Sequence, residues 1–357
     1  MRQIRGGVTL AGIALMLWLG SPTAATAEAT ATAEATAPGP VAVRCVITDP
    51  RITESSGLAA AGARLFTVND GGSGLVVYVL DGRCRVTGVI RAGIDPYDVE
   101  DLARSADGTL WLADLGDNDR RRRTVAIELL TESGEATLHR FSYPDGAHDA
   151  EALLLDRQGR PFIVTKEVFG RSGVYTPVGV PAAARSTPLR KVATVRFGPT
   201  GTPGGPVGTV GQVLVTGGAV SPDGTRVVLR TYTDAYLWRA DDADVVKALR
   251  DGRPTRIPLP PTRQGEAVTF SPDGQRLLTS TEGVPGAVHV ISLGTLAGPP
   301  APDGTPPSGT AARAPSPGRK EPSTGWTTFG GLVLAGVLAT VLMWGGGKVR
   351  DLAHRRG

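Results

Sequence analysis

The stretch EAVTFSPDGQRLLTS (Glu266–Ser280) decides how the rest of the chain reads. Two apolar runs flank Ser271-Pro272-Asp273-Gly274, which has Pro at i+1 and Gly at i+3 of a type I turn. A strand, a tight turn and a returning strand are therefore predicted. TGGAVSPDGTRVVLR (Thr216–Arg230) repeats the pattern with a threonine in place of the leading glutamate. Working outward, an acid followed eight residues later by glycine recurs as Glu54/Gly62, Glu100/Gly108, Glu151/Gly159 and Glu266/Gly274, and Thr216/Gly224 keeps the frame. Successive units lie 46, 51, 65 and 50 residues apart.

Further strand-like segments follow the hairpins, among them Leu75–Val79, Thr124–Leu129 and Ala287–Leu293. About fifty residues and four strands per unit is the size of a propeller blade. An all-β fold, a β-propeller over residues 41–296, is predicted. The count is five blades. The 65-residue interval is too short for two blades, and its excess sits in the Gly-rich loop Gly198–Gly211; a sixth, degenerate blade stays open. The last unit runs out after three strands, and Val41–Thr48 is an unpaired strand placed to complete it and close the ring.

The turns Ser221–Gly224 and Ser271–Gly274 resemble those of WD40-like (PD40-type) bacterial propellers. The wider run ESSGLA…LFTVNDGG…DVEDLA…LWLADLGDN…YPDGAHDAEALLL…FIVTKE resembles a largely uncharacterised family of exported actinobacterial propellers. The likeness covers about residues 45–295 and is more specific in its first half. It implies a β-propeller and carries no catalytic assignment to these positions. The GH…WD signature of eukaryotic WD40 repeats is absent, which argues against a signalling scaffold.

The formal charge of +4 is misleading as a sum. Met1–Ala27 contributes +2 and the last ten residues +3, leaving about −1 for everything between. The body is not basic, and no nucleic-acid partner is expected. Residues 1–27 read as a signal peptide: Arg2 and Arg5, the apolar run Val8–Leu19, then Ala25-Thr26-Ala27. An uncleaved anchor is the alternative. Residues 28–40 form a low-complexity tether and 297–325 a Pro/Gly-rich stalk. Residues 326–346 carry no charge, have Trp326 and Trp344 at their ends, and are long enough for one transmembrane helix. The basic tail 347–357 places the C-terminus in the cytoplasm. The expected localisation is the cell membrane, single-pass type I, with the propeller outside. Cys45 and Cys84, both in the exported part, are expected to form a disulfide.

Chemistry is signalled mainly by acids. The start of the first strand and the end of the second in each hairpin fall at one edge, so their residues should gather at one mouth of the channel. Glu54, Asp98, Glu100, Asp149, Glu151 and Glu266 enter there. Asp70, Asp114, Asp117, Glu167, Asp234 and Glu282 leave there. Crowded carboxylates need an offset, and hard oxygen donors suit Ca²⁺ as a cofactor. Glu54, Asp98, Glu100, Asp114, Asp117, Asp149, Glu151 and Glu266 are the candidate metal ligands. Asp70, Lys166, Glu167, Asp234 and Glu282 are the candidate ligand-binding residues. The bland alternative has the repeated glutamates bonding the backbone of the neighbouring blade. Arg120–Arg123 either contact an anion or pair with Asp114, Asp117 and Asp119.

Glu100, Glu151 and His148 are the catalytic candidates, and none has a convincing nucleophile beside it. The chain lacks a Gly-x-Ser-x-Gly elbow, a P-loop and a Rossmann fingerprint. Its histidines (His139, His148, His289, His354) and two cysteines have no zinc spacing. The expected function is a membrane-anchored binding or sensing module for an extracellular ligand or protein partner. The alternatives are a Ca-dependent extracytoplasmic hydrolase of phosphoesters or glycans, and a structural cell-envelope protein.

Overall fold

The computed structural model describes residues 39–71 and 74–294. The predicted signal, nearly all of the tether, the stalk, the span and the tail lie outside the described residues. Among those described, no helix is long and apolar enough to cross a membrane.

The strands run β1 (Val41–Ile47), then β2 (Ser55–Ala61), β3 (Arg64–Asn69), β4 (Leu75–Leu80) and β5 (Val86–Ala92). Next come β6 (Val99–Arg104), β7 (Leu110–Asp114), β8 (Val125–Leu130) and β9 (Ala136–Ser142). They are followed by β10 (Ala150–Leu155), β11 (Pro161–Thr165), β12 (Arg171–Pro177) and β13 (Thr187–Arg196). The chain continues with β14 (Val215–Val220), β15 (Arg226–Thr231), β16 (Asp234–Arg239) and, after helix α1 (Val245–Asp251), β17 (Thr255–Pro258). It closes with β18 (Gly265–Phe270), β19 (Arg276–Thr281) and β20 (Gly286–Ser292).

Each unit is an antiparallel meander: β2–β5, β6–β9, β10–β13, β14–β17, and β18–β20 completed by β1. The second and third units merge into one eight-stranded sheet, because Thr187-Pro188 of β13 pairs in parallel with Phe141-Ser142 of β9. The first strands form a closed ring: β2 packs on β6, β6 on β10, β10 on β14, β14 on β18, and β18 on β2. The molecule is a β-propeller.

Its core is divided among the spaces between units. Phe66 and Val77 of the first unit meet Leu102 and Leu112 of the second. Leu154 and Val164 of the third meet Leu229 and Trp238 of the fourth. Leu58 and Leu65 meet Ala267 and Leu278 across the seam. The period-2 alternation of a strand explains the division. Val227 and Leu229 of β15 face the third unit, and Val228 between them faces the fifth. Strands buried on both faces therefore read as continuous apolar runs such as RVVL.

At the seam, β1 adds to β20 from Val41↔Ile291 to Ile47↔Gly286. Cys45 of β1 is bonded to Cys84, with Cα atoms 5.7 Å apart. Cys84 lies in the β4–β5 turn with φ 61°, not in the outer strand where it was expected. The bridge staples the last unit to the first. The bridged cysteines are 39 residues apart. In the chain-entropy model a loop of this size makes the Cys45→Ala/Cys84→Ala variant about 4 kcal/mol less stable. Denaturant unfolding measures this, and a loss below about 1 kcal/mol would leave the bridge decorative.

Candidate functional site

The first strand of every unit carries a bulge at the same place. Pairing slips by one residue between Ser55 and Leu58, Val99 and Asp101, Ala150 and Ala152, Val215 and Gly217, and Gly265 and Val268. The registers make Ser56, Glu100, Glu151, Thr216 and Glu266 equivalent. This corrects the sequence frame at its first member, where Glu54 had been aligned. The first hairpin turns tightly through Gly62-Ala63, whereas the second needs residues 105–109, so counting back from the glycine misplaces the bulge by two. Bulges re-aim side chains next to functional sites, and here they form a ring around the channel.

The hydroxyls in that ring hold units together. Ser56 Oγ donates to the Glu100 carbonyl at 2.6 Å, and Thr216 Oγ1 donates to the Glu266 carbonyl at 3.0 Å. Seam contact is reinforced by Ser55 Oγ and Ser280 Oγ at 2.9 Å. The other ring positions present three buried glutamates. Glu151 pairs with Lys166 at 2.5 Å, and Lys166 Nζ donates to Tyr232 Oη at 3.3 Å. Burial pushes the Glu151 carboxyl up while Lys166 pulls it down, and the surrounding carboxylates keep Lys166 firmly protonated. Arg230, 1% exposed, donates to the carbonyls of Ala267 and Ser280. Burial lowers its guanidinium to about 10, with Glu266 opposing.

Asp70, Asp98 and Glu100 form the tightest acidic group: one oxygen from each lies within 4.8 Å of the others. They come from the end of the first hairpin, the β5–β6 loop and the bulge of β6. Gly116 backs them, and a side chain at that position would run into the carboxylates of Asp98 and Glu100.

Several predicted ligands serve the loops instead. Asp114 accepts from the Tyr97 and Asp98 amides and pairs with Arg122 at 2.9 Å. Asp117 accepts from the Arg121 and Arg122 amides, and Asp149 accepts from the Asp117 amide. The acid-rich run 114–119 is therefore a self-satisfied turn. Asp234 accepts from Thr200 and Thr202 of the inserted loop, from Thr233 and from Arg256. Glu282 bonds Gln264. Glu54 is half-buried at the entrance to β2. Arg121 and Arg122 pair with Asp119 and Asp114 as the bland alternative had it, whereas Arg120 goes to Glu167 at 2.8 Å.

Both ring nitrogens of His148 are engaged, Nδ1 with Glu167 at 3.4 Å and Nε2 with Asp145 at 3.1 Å. The Glu167 hydrogen bond raises its pKa above 6.5, with Asp145 adding to the effect. A Glu167→Gln variant is expected to move the imidazole pKa back toward 6.5 by NMR titration. No movement would mean that Asp145 alone sets it.

Sequence reasoning missed Asp101, the next residue along from Glu100. It is fully buried on the channel side: Oδ1 accepts from its neighbour Leu102 N, and Oδ2 from Leu153 N at 2.9 Å and Gly218 N at 3.2 Å. One carboxylate thus ties β6 to β10 and β14. Burial pushes it up to about 7 against the pull of those three donors.

No family profile and no curated protein matches the chain. Among solved structures it is similar to a gluconolactonase from Xanthomonas campestris at 15% identity, covering 67% of this chain and 72% of the other, with a TM-score of 0.40. It is also similar to virginiamycin B lyase from Staphylococcus aureus, at 12% identity, 66% and 65% coverage and a TM-score of 0.34. The third is the β-propeller domain of Cps50 from Myceliophteria thermophila, at 14% identity, 71% and 99% coverage and a TM-score of 0.38. These likenesses are too distant to bear on site or activity.

Proposed function

We propose that the chain is an exported, five-bladed propeller acting as a binding module, with Ca²⁺ held at its acidic mouth. The observation that carries this reading is the convergence of Asp70, Asp98 and Glu100 within 4.8 Å, backed by a glycine. Three carboxylates suit a hard cation that takes six to eight oxygens, the rest being carbonyls and water. The cation would offset their repulsion and present open positions to an acidic or hydroxyl-bearing ligand. The closed ring of first strands supports the count of five. The charge pattern at 1–27 and 326–357 supports export and anchoring by a single span.

Thermal unfolding of the full-length chain in Ca²⁺ and in chelator tests the reading. Saturation to a hundred times Kd adds about 2.7 kcal/mol. That is a rise of about 5–10 °C for a domain of this size. Glu100→Gln should abolish the rise. An unchanged midpoint in millimolar Ca²⁺ overturns the metal assignment. A hydrolase stands second, because Lys166 occupies Glu151, one of its candidate catalytic acids.

A further inference from the structure

The channel has a second end. Opposite the acidic mouth, a cavity of about 510 Å³ opens among the turns of the first hairpins, within the roughly 300–1,000 Å³ of small-molecule sites. Gly62, Gly159, Pro222 and Pro272 of those turns line it, one from each of four units, and the second unit adds Ser105 and Ala106. Its inner end lies at Leu102, Leu153 and Gly218, whose amides all donate to the Asp101 carboxylate. One carboxylate thus caps the chamber on the side of the acidic mouth.

Its walls are largely backbone. Each unit turns the flat sides of its sheet to its neighbours, where the cores lie, and so offers the open edge of its first strand to the axis. In an antiparallel pair, successive residues point N–H and C=O together, first toward the partner strand and then away from it. The turn bonds Ser105 N→Thr109 O, Asp156 N→Arg160 O, Ser221 N→Arg226 O and Ser271 N→Arg276 O fix the phase. Arg104, Leu155, Val220 and Phe270, one residue earlier, therefore face the axis, and the register puts Ala60 in the same class. All five line the cavity, so each unit offers it one N–H and one C=O. Leu102, Leu153 and Gly218 are the equivalent residues one step inward, and their convergence on Asp101 shows that these amides do reach the axis. The charged side chains of the wall are committed. Arg104 pairs with Glu132 at 3.6 Å, Asp156 with Arg160 at 2.7 Å, and Arg157 donates to the Asp223 carbonyl at 3.5 Å. Ser105 and Ser221 donate to Asp107 and Asp223. Small residues, Ala61, Ala103, Gly218 and Ala219, leave the room.

We propose that this chamber is a second binding site, which takes a neutral, hydroxyl-rich ring of the monosaccharide or cyclitol class. A hydroxyl accepts from an N–H and donates to a C=O, so a ring of them reproduces the bonds of the water it displaces. An apolar ligand would leave both kinds of backbone group unmatched, and an anion would leave the carbonyls so. The alanines receive the C–H faces of the ring. The proposal is independent of the cation reading, since none of its residues belongs to the Asp70–Asp98–Glu100 group.

The test is calorimetric titration of the full-length chain, in chelator, with four probes: myo-inositol, D-glucose, cyclohexanol, which keeps a ring with a single hydroxyl, and cyclohexanecarboxylate, which carries a charge instead. At least one of the two polyols is expected to bind, and the other two probes to bind at least ten-fold more weakly than it. Ala103→Leu and Ala219→Leu, which narrow the chamber from two different units, should each weaken the polyol at least ten-fold. Because a leucine can also disturb the packing between units, amide NMR shifts of the parent protein provide a second measurement. The polyol should move the amides of Ala60, Leu155 and Val220 and leave those of Asp98 and Glu100 in place. The proposal is overturned if neither polyol binds at tens of millimolar, if cyclohexanol or cyclohexanecarboxylate binds as well as the polyols, or if the shifts gather at the acidic mouth.

Discussion

Replacing Asp101 by alanine is expected to cost about 3–5 kcal/mol of unfolding free energy. The variant leaves three backbone donors without their carboxylate, Leu102 N, Leu153 N and Gly218 N, all in a place water does not reach. Each buried orphan costs about 1–3 kcal/mol. Because those amides belong to three successive units, the loss falls on the ring as a whole. Asparagine should sit between the two. Its oxygen can still accept from Leu153 and Gly218, but its amide nitrogen then faces the Leu102 N–H. Denaturant unfolding measures both variants. An alanine variant within about 1 kcal/mol of the parent would show that the cross-channel bonds do not hold the ring.

The second large effect concerns Lys166. Lys166→Met leaves Glu151 buried beside Asp149 and Asp70 without its cation, and a broken buried pair costs about 3–5 kcal/mol. Removing both partners as Lys166→Met/Glu151→Leu should recover most of that, since an apolar pair needs no counter-charge. The pH dependence has a definite sign. Without Lys166 the Glu151 pKa stands above its unfolded value, so ionisation opposes folding. The deficit is then largest at high pH and shrinks as pH falls through the folded pKa. A double-mutant cycle at pH 7 and pH 5 reads both effects. Simple additivity of the two single changes would mean the pair is not coupled.

Much of the architecture was legible because the repeat is short and its turns are chemically marked. Ser-Pro-Asp-Gly locates two hairpins outright, and the missing fourth strand of the last unit pointed to residues 41–48. The gathering of acids at one edge also followed from strand direction. Direction alone could not separate carboxylates that face one another from those consumed by amides. Asp70 and Asp98 meet Glu100, whereas Asp114 and Asp117, in the same kind of sequence, fold back on their own loop. The bulge was invisible as well, because a one-residue slip leaves no mark in composition. It moved the first ring position from Glu54 to Ser56 and concealed Asp101. Helix α1, only seven residues long and capped by Asp244 accepting from Lys247 N, was too short for its period to register. Arg230 and Glu128 sit in strands with no motif around them, and only the covering of both strand faces makes them buried.

The pairing of β1 with β20 also has a kinetic side. Val41 contacts Ile291, so the ring cannot close until some 250 residues further along the chain have formed β18–β20. Loop closure over that length is slow compared with the local hairpins. Until then both edges of β1 are open, the kind of surface that pairs wrongly with other chains, whereas in the finished fold only its outer edge is, with Val41, Val43 and Val46 still exposed. The Cys45–Cys84 bond spans only 39 residues and needs nothing beyond the first unit. Formed early, it parks the waiting strand beside β4 and β5, where the last unit will arrive. The bridge then acts as a guide during assembly, and its loss should appear as slower refolding and more aggregation as well as a lower midpoint.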